Sequence, residues 1–372
     1  MEISKTPTGP SEMILNLGPQ HPSTHGVCRL VLKTDGEKVL KIDPVIGYLH
    51  RGIEKLGENR SYVQFLPLPA RLDYVAAMSN DMAYVMAIED LMDVEVPERA
   101  EYIRVIMLEL QRLASHLLFV GTFGADLGAW TVLMYGFRER ERILDLLEMV
   151  CGGRLFYTYI WPGGVRYDLP DGFVEKCRKT MKDLPEYFED YQKYFYGNEI
   201  FLKRCEGVGV LKAEDAINWG VTGPILRACG VPYDVRKDDP YSVYEQLDFK
   251  VITEEGGDAL ARFNVRLREI YESINIINQA LDKLPEGDFR AKVSKTIKPP
   301  AGPAYSRVEA PRGELSFYLL SDGESKNPYR VKIRSPSFCN LSAFPSFAEG
   351  DFIPDLIANF ASIDIVLGCV DR

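Results

Sequence analysis

Two of the four histidines in this 372-residue sequence share one short loop, and they are the first candidates for proton chemistry. His21 and His25 lie in Gly18-Pro19-Gln20-His21-Pro22-Ser23-Thr24-His25-Gly26. On a helix, an i, i+4 histidine pair would suit a metal ion. Here two prolines and two glycines remove the helix, and no neighbouring cysteine or acid completes a ligand set. The pattern predicts an ordered loop in which His21 bonds the backbone. His25, beside Ser23 and Thr24, is then the candidate acid–base group, because an imidazole exchanges protons at neutral pH.

Two other side chains could join such chemistry. Tyr74, in Arg71-Leu72-Asp73-Tyr74, reads on its own as a buried aromatic with a bonded hydroxyl, yet its phenol can donate to a carbonyl oxygen. Asp126 sits in the apolar, glycine-rich stretch Phe123-Gly124-Ala125-Asp126-Leu127-Gly128. A carboxylate there is either a cap or the partner of a cation, and spacing does not decide between them. The seven cysteines are scattered without a CxxC, which favours buried reduced thiols over a self-contained iron–sulfur or zinc site. Gly207-Val208-Gly209 lacks the rest of a dinucleotide fingerprint, and Arg138-Glu139-Arg140-Glu141-Arg142 reads as a solvated or partner-facing helix edge.

The elements that must hold these groups follow from periodicity. The first 55 residues read as β-structure: a strand at Met13–Leu17, then Cys28–Lys33 and Val39–Ile42 flanking an Asp-Gly hairpin signal. The histidine loop joins the first two strands. From about Arg71 the period changes to 3.6, and helices are expected after Pro97, over Thr131–Met149, Phe173–Phe195 and Asp258–Leu284. Lys298-Pro299-Pro300-Ala301-Gly302-Pro303 ends the helical part. A second hairpin, Leu315–Leu320 with Arg330–Arg334, and a helix over Ile353–Ala361 follow. The expected division is a β-rich segment over 1–55, a helical core over 56–298, and a hairpin-and-helix segment over 299–372, packed as one unit.

Composition sets outer limits. A net charge of −10 with dispersed lysine and arginine argues against nucleic acid as a partner. No run of about 18 apolar residues exists, and Met1–Met13 has no apolar signal core, so a cytoplasmic-type location is expected.

The histidine loop is also the start of a longer resemblance. GPQHPSTHG (Gly18–Gly26), GYLHRGIEKL (Gly47–Leu56), RLDY (Arg71–Tyr74), RLASHL (Arg112–Leu117), DLGA (Asp126–Ala129), FRERE (Phe137–Glu141), PGGV (Pro162–Val165), YDVRK (Tyr233–Lys237), RGELSFYLLSDG (Arg312–Gly323) and the terminal VDR occur in order. Together they resemble the D-type family of subunits of respiratory NADH:quinone oxidoreductase, complex I, including its archaeal reduced-deazaflavin (coenzyme F-420) dehydrogenase relatives. The match runs from about residue 13 to 372.

The resemblance implies a mainly α, α+β fold like the large subunit of nickel–iron hydrogenases, a helical bundle with small antiparallel sheets near both termini. The two cysteine pairs that hold the metals in those enzymes fall here at Asp73 and Ala76, and at Val366 and Cys369. Three of the four thiolates are missing, which speaks against hydrogenase chemistry. The resemblance places His25 and Tyr74 at the two carbonyls of a quinone headgroup, with Asp126 paired to His25. It also places Arg51 near a 4Fe–4S cluster held by a small partner of the B type. The chain itself would bind no cofactor or metal.

Partners of the C and I types, a membrane partner of the H type and a position on the cytoplasmic face of the membrane are implied as well. By the same resemblance the donor would be NADH or reduced deazaflavin, and the carrier ubiquinone, menaquinone or methanophenazine. In RLFYTYIWPGGV (Arg154–Val165), Phe156 and Trp161 replace a usual histidine and arginine, and Pro300–Arg312 is shorter than in many members. These departures lean toward the archaeal branch. A hydrogenase-like scaffold without catalysis is the alternative, and a catalytic subunit of a hydrogenase is the third reading.

Overall fold

A computed structural model describes residues 3–4 and 12–372; the Met1–Met13 stretch read for a signal core lies mostly outside them. Near the N-terminus, Glu12–Leu17, Arg29–Asp35 and Lys38–Val45 form antiparallel neighbours in a sheet extended by Ile3–Ser4. Leu30, Leu32 and Thr34 alternate inward along the middle strand, the period of a sheet with one covered face. What covers it comes from the other end of the chain: Leu341, Phe344, Leu356, Phe360, Leu367 and Val370 share its core cluster. The two ends of the sequence are therefore sealed against each other.

The larger core surrounds the Glu98–Asp126 helix, which is buried on nearly all sides. Its first turn carries Glu98 and Glu101, acids favoured by the positive end of a helix. At its far end Gly128 adopts φ 89°, and the Ala129 N–H reaches back to the Gly124 carbonyl at 2.7 Å. This closes the helix with a left-handed glycine cap. The Trp130–Cys151 helix starts just beyond the cap and returns along the first. Small residues allow the close approach: a Cβ on Gly136 would stand 2.8 Å from the Leu117 carbonyl oxygen. This helix pair fixes where Asp126 ends up.

Helices Ala77–Met92, Phe173–Tyr196 and Ala259–Asp282 complete the bundle. The mainly helical α+β architecture with small antiparallel sheets near both termini matches the expectation. Details differ. Arg71–Tyr74 does not open a helix; Arg71 ends a 3-10 turn at Pro69–Arg71, and Leu72–Tyr74 lie between that turn and the helix that starts at Ala77. The C-terminal hairpin is a three-stranded sheet, because Gly302–Ala310 pairs along the whole of Gly313–Ser321. Pro336–Ala348 is an additional helix, and the terminal tail is helical over Leu367–Asp371. Among the described residues, no helix is long and apolar enough to cross a membrane.

Replacing Gly136 by Val forces the Glu98–Asp126 and Trp130–Cys151 helices apart. Overpacking of this kind costs about 1–3 kcal/mol, to be read as a lower denaturant midpoint of the full-length chain. An unchanged midpoint would show that the two helices do not depend on this contact.

Candidate functional site

The histidine loop is a single 3-10 turn, Pro22–Thr24, between two-residue strands at Gln20–His21 and Gly26–Val27. His21 starts it, its Nδ1 accepting the Ser23 N–H at 3.2 Å. The Thr24 side chain is buried, and its hydroxyl donates to the His21 and Gly26 carbonyls at 2.8 and 2.9 Å. His25 ends the turn with φ 53° and ψ 33°. A left-handed conformation costs a residue with a side chain on the order of 1–2 kcal/mol. The loop's own hydrogen bonds hold that conformation and turn the imidazole inward.

The ring meets Asp126. His25 Nε2 lies 2.7 Å from Asp126 Oδ2, across 101 positions of sequence, with the two side chains 19% and 15% exposed. Because a carboxylate only accepts, Nε2 carries the hydrogen, and Nδ1 is left for another partner. Asp126 is the last residue of its helix. The end of this helix thus sets where the imidazole is held.

Tyr74 is positioned by the residue before it. Asp73 is fully buried; its Oδ1 accepts the Val75 and Ala76 N–H groups at 3.1 and 3.2 Å, which sets the turn into the Ala77–Met92 helix. Its Oδ2 accepts from Arg312 Nη1 at 3.0 Å. The guanidinium of Arg312, also buried, donates further to the Ser115 hydroxyl (3.2 Å), the Asp364 carbonyl (2.8 Å) and Asp364 Oδ1 (3.2 Å). Burial pushes the Tyr74 phenol above its ordinary value, and Asp73 and Asp364 add to this while Arg312 opposes it. Burial likewise raises the Asp73 carboxyl, against the pull of Arg312.

His25, Asp126, Tyr74, Arg312 and Asp364 line one pocket of about 360 Å³. Its other walls are mostly apolar, with Val75, Leu118, Ala125, Leu133, Ile365 and Val366 among them, and Trp130 stands at the rim, 65% exposed. An apolar-walled pocket with a few polar side chains converging on it is the usual form of a small-molecule site.

Of the residues singled out from sequence, His25, Tyr74 and Asp126 come together here. His21 does not line the pocket, and neither does Arg51. Arg51 Nη2 donates to the Arg71 carbonyl at 2.6 Å, and its backbone N–H bonds the Arg372 carbonyl, which ties the Arg71–Tyr74 segment to the chain end. Arg312 and Asp364 escape sequence reasoning as site residues. The available signal for Arg312 is a charged residue at an Arg-Gly turn between two apolar strands; Asp364 gives none before its contacts are known. Asp73 and Cys369, two of the four positions that the resemblance aligns with hydrogenase cysteines, both lie close enough to Arg312 to influence its charge. The guanidinium there sits between the carboxylates of Asp73 and Asp364. Among the described residues, no group of three or more His, Cys, Asp or Glu side chains is arranged to hold a metal ion.

Cys369 is buried against Ser335 Oγ at 2.9 Å, and burial pushes its thiol up to about 12. Because the thiolate is the reactive form, iodoacetamide applied to the native protein at neutral pH leaves Cys369 unmodified by mass spectrometry. Labelling at the pace of a free thiol would contradict this packing.

Comparison with known proteins places the chain. The family profile described as "Respiratory-chain NADH dehydrogenase, 49 Kd subunit" matches residues 126–299 and 290–372. The D subunit of the NADH-quinone oxidoreductase of Clostridium beijerinckii is 50% identical over 361 residues, 97% of either chain. Its counterpart in Desulforamulus reducens is 53% identical over 360 residues, 97% of this chain and 98% of the relative. The counterpart in Dehalococcoides mccartyi is likewise 53% identical over 360 residues, covering 96% and 98%. None of these names supports the deazaflavin branch toward which Phe156, Trp161 and the short Pro300–Arg312 stretch lean. The chain belongs to the 49 kDa, or D-type, family of subunits of the respiratory NADH-quinone oxidoreductases.

Proposed function

We propose that this chain forms the quinone-reduction site of a complex I-type NADH:quinone oxidoreductase, with His25 and Tyr74 as the two proton donors. The observation that carries this reading is one apolar-walled pocket lined by the bonded His25–Asp126 pair and by Tyr74. Two-electron reduction of a quinone gives its two oxygens a charge that must be met by two protons. His25, held through Nε2 by Asp126, supplies one from Nδ1. The Tyr74 phenol, kept protonated by burial, donates a hydrogen bond in the ground state and gives up its proton only once the carrier oxygen has become basic.

The electrons come from outside the chain. A 4Fe–4S cluster in a small partner protein of the B type would supply them when that protein is bound, and the exposed Arg51 is placed in this reading to face it. Partners of the C, I and membrane H types complete the assembly at the cytoplasmic face of the membrane. Quinone is preferred over methanophenazine because the relatives carry quinone in their names.

In the assembled complex, Tyr74→Phe and His25→Ala each lower carrier reduction by about 10²-fold, the usual contribution of a positioned donor. Asp126→Asn lowers it less, because the imidazole keeps a hydrogen-bond partner but loses the carboxylate that orients it. Assembly and electron delivery to the partner's cluster, followed by its spectrum, stay intact. A double Tyr74/His25 variant that assembles and turns over normally would favour a scaffold role instead.

A further inference from the structure

Behind the pocket lies a second set of charges, buried and not used by the chemistry above. Glu109 and Arg112 from the Glu98–Asp126 helix, Arg227, Asp234 and Arg236 from the segment beyond it, Glu269 from the Ala259–Asp282 helix and Glu309 from the Gly302–Ala310 strand form one cluster, all of them buried. Arg227 Nη1 donates to Glu309 at 2.8 Å and Arg227 Nε to Glu269 at 2.8 Å; Arg236 Nη1 reaches Glu109 at 3.1 Å and Nη2 reaches Asp234 at 2.6 Å. Arg112 Nε bonds Glu109 Oε2 at 3.2 Å, and its Nη2 bonds the Glu309 carbonyl at 2.5 Å. These are three guanidiniums against four carboxylates. A surplus buried acid is relieved by a neighbouring cation or by a proton. Arg266 stands beside Glu269, and the other means is a proton held within the cluster.

Two groups can carry it. His116 Nε2 lies 3.0 Å from Glu269 Oε2, but burial lowers this histidine below its ordinary value, against the pull of Glu269. Burial pushes Glu309 up to about 7, and Asp234 adds to this while Arg227, Arg112 and Arg236 oppose it. Tyr233 and Tyr241 also approach this carboxyl.

The cluster spans from the surface to the pocket. On the outer side, Glu314 pairs across the sheet with Glu309 and accepts the Tyr233 hydroxyl; Arg307 joins them to Asp239 at the surface. On the inner side, His116 follows Ser115, whose hydroxyl binds Arg312. Arg266, one turn before Glu269, lies 3.8 Å from Asp364. His116 Nδ1, Arg112 Nη1 and Arg266 Nε are buried without a hydrogen-bond partner from the protein, and buried groups of this kind are satisfied by ordered water.

We propose that Glu309 and His116 hold a mobile proton and, through Glu269 and water beside Arg266 and Arg312, resupply the Tyr74 phenol after each carrier reduction. The inference rests on the reading of the pocket as the carrier site. The proton lost from Tyr74 Oη to the carrier oxygen is replaced from Glu309, which is reloaded from solvent past Glu314. No electron moves through the network. Glu309 and His116 touch no carrier atom, so both are positioning and relay groups rather than catalytic ones.

The test uses the assembled complex and a short-chain benzoquinone. The relay donor is present below about 7 and is lost as pH rises through it, so the parent's rate should fall across that range. Glu309→Gln should remove this dependence and slow turnover by about 10-fold, and Glu309→Asp should restore both. If Tyr74→Phe is impaired while Glu309→Gln keeps the parental pH profile, the relay is overturned and the pocket reading stands. If Tyr74→Phe turns over normally, both fail. Should Glu309→Gln not assemble, infrared difference spectroscopy of the parent decides: a carboxylic acid C=O band that responds to carrier reduction supports the relay, and no such band overturns it.

Discussion

The buried guanidinium of Arg312 is the contact on which the site depends. It sits at the turn between two strands of the C-terminal sheet and gathers the Asp73 turn, Ser115 in the central helix and Asp364 before the terminal helix. Each of those segments comes from a different part of the sequence. An isolated charge in this interior would be prohibitively costly, but two carboxylates and a carbonyl at hydrogen-bond distance offset its desolvation. Pairing of this sort adds little net stability compared with apolar packing. What it does supply is a fixed meeting point, since one guanidinium bonds Asp73, Ser115 and Asp364 at once.

That constraint divides the labour within the pocket. On one side the Arg312 network fixes the segment that carries Tyr74, while burial keeps the phenol protonated. On the other, the helix pair closed by Gly128 delivers Asp126 to a histidine held in a left-handed turn. The two side chains thus differ in kind. One is an imidazole bonded to a carboxylate, and the other is a phenol kept neutral by burial. In the proposed reading a carrier between them would meet one donor at each oxygen. The positions that the resemblance aligns with hydrogenase thiolates are here Asp73, Ala76, Val366 and Cys369, and Asp73 among them holds the Arg312 guanidinium.

Much of the fold is legible from periodicity, because the long helices bury regular stripes and the N-terminal strands alternate cleanly. The misses have physical causes. Gly302–Ala310 follows a proline-rich stretch that hides a strand, and only pairing with Gly313–Ser321 reveals it. Pro336–Ala348 contains Pro345 and is apolar on most sides, so its sequence shows no amphipathic period. For the site, loop chemistry separates His21 from His25, but no spacing rule joins His25 to a carboxylate 101 positions away. The family resemblance supplies that pairing and Tyr74 with it. Arg312 and Asp364 stay hidden because a buried ion pair is a property of three-dimensional neighbours, and isolated charged residues in a sequence read as surface.

The most direct measurement is a structure of the assembled complex with a quinone bound. The account predicts the headgroup in the pocket between the histidine loop and the Arg71–Tyr74 segment, one carbonyl oxygen within hydrogen-bond distance of His25 Nδ1 and the other of Tyr74 Oη. A headgroup that reaches the partner's cluster while touching neither side chain would contradict it.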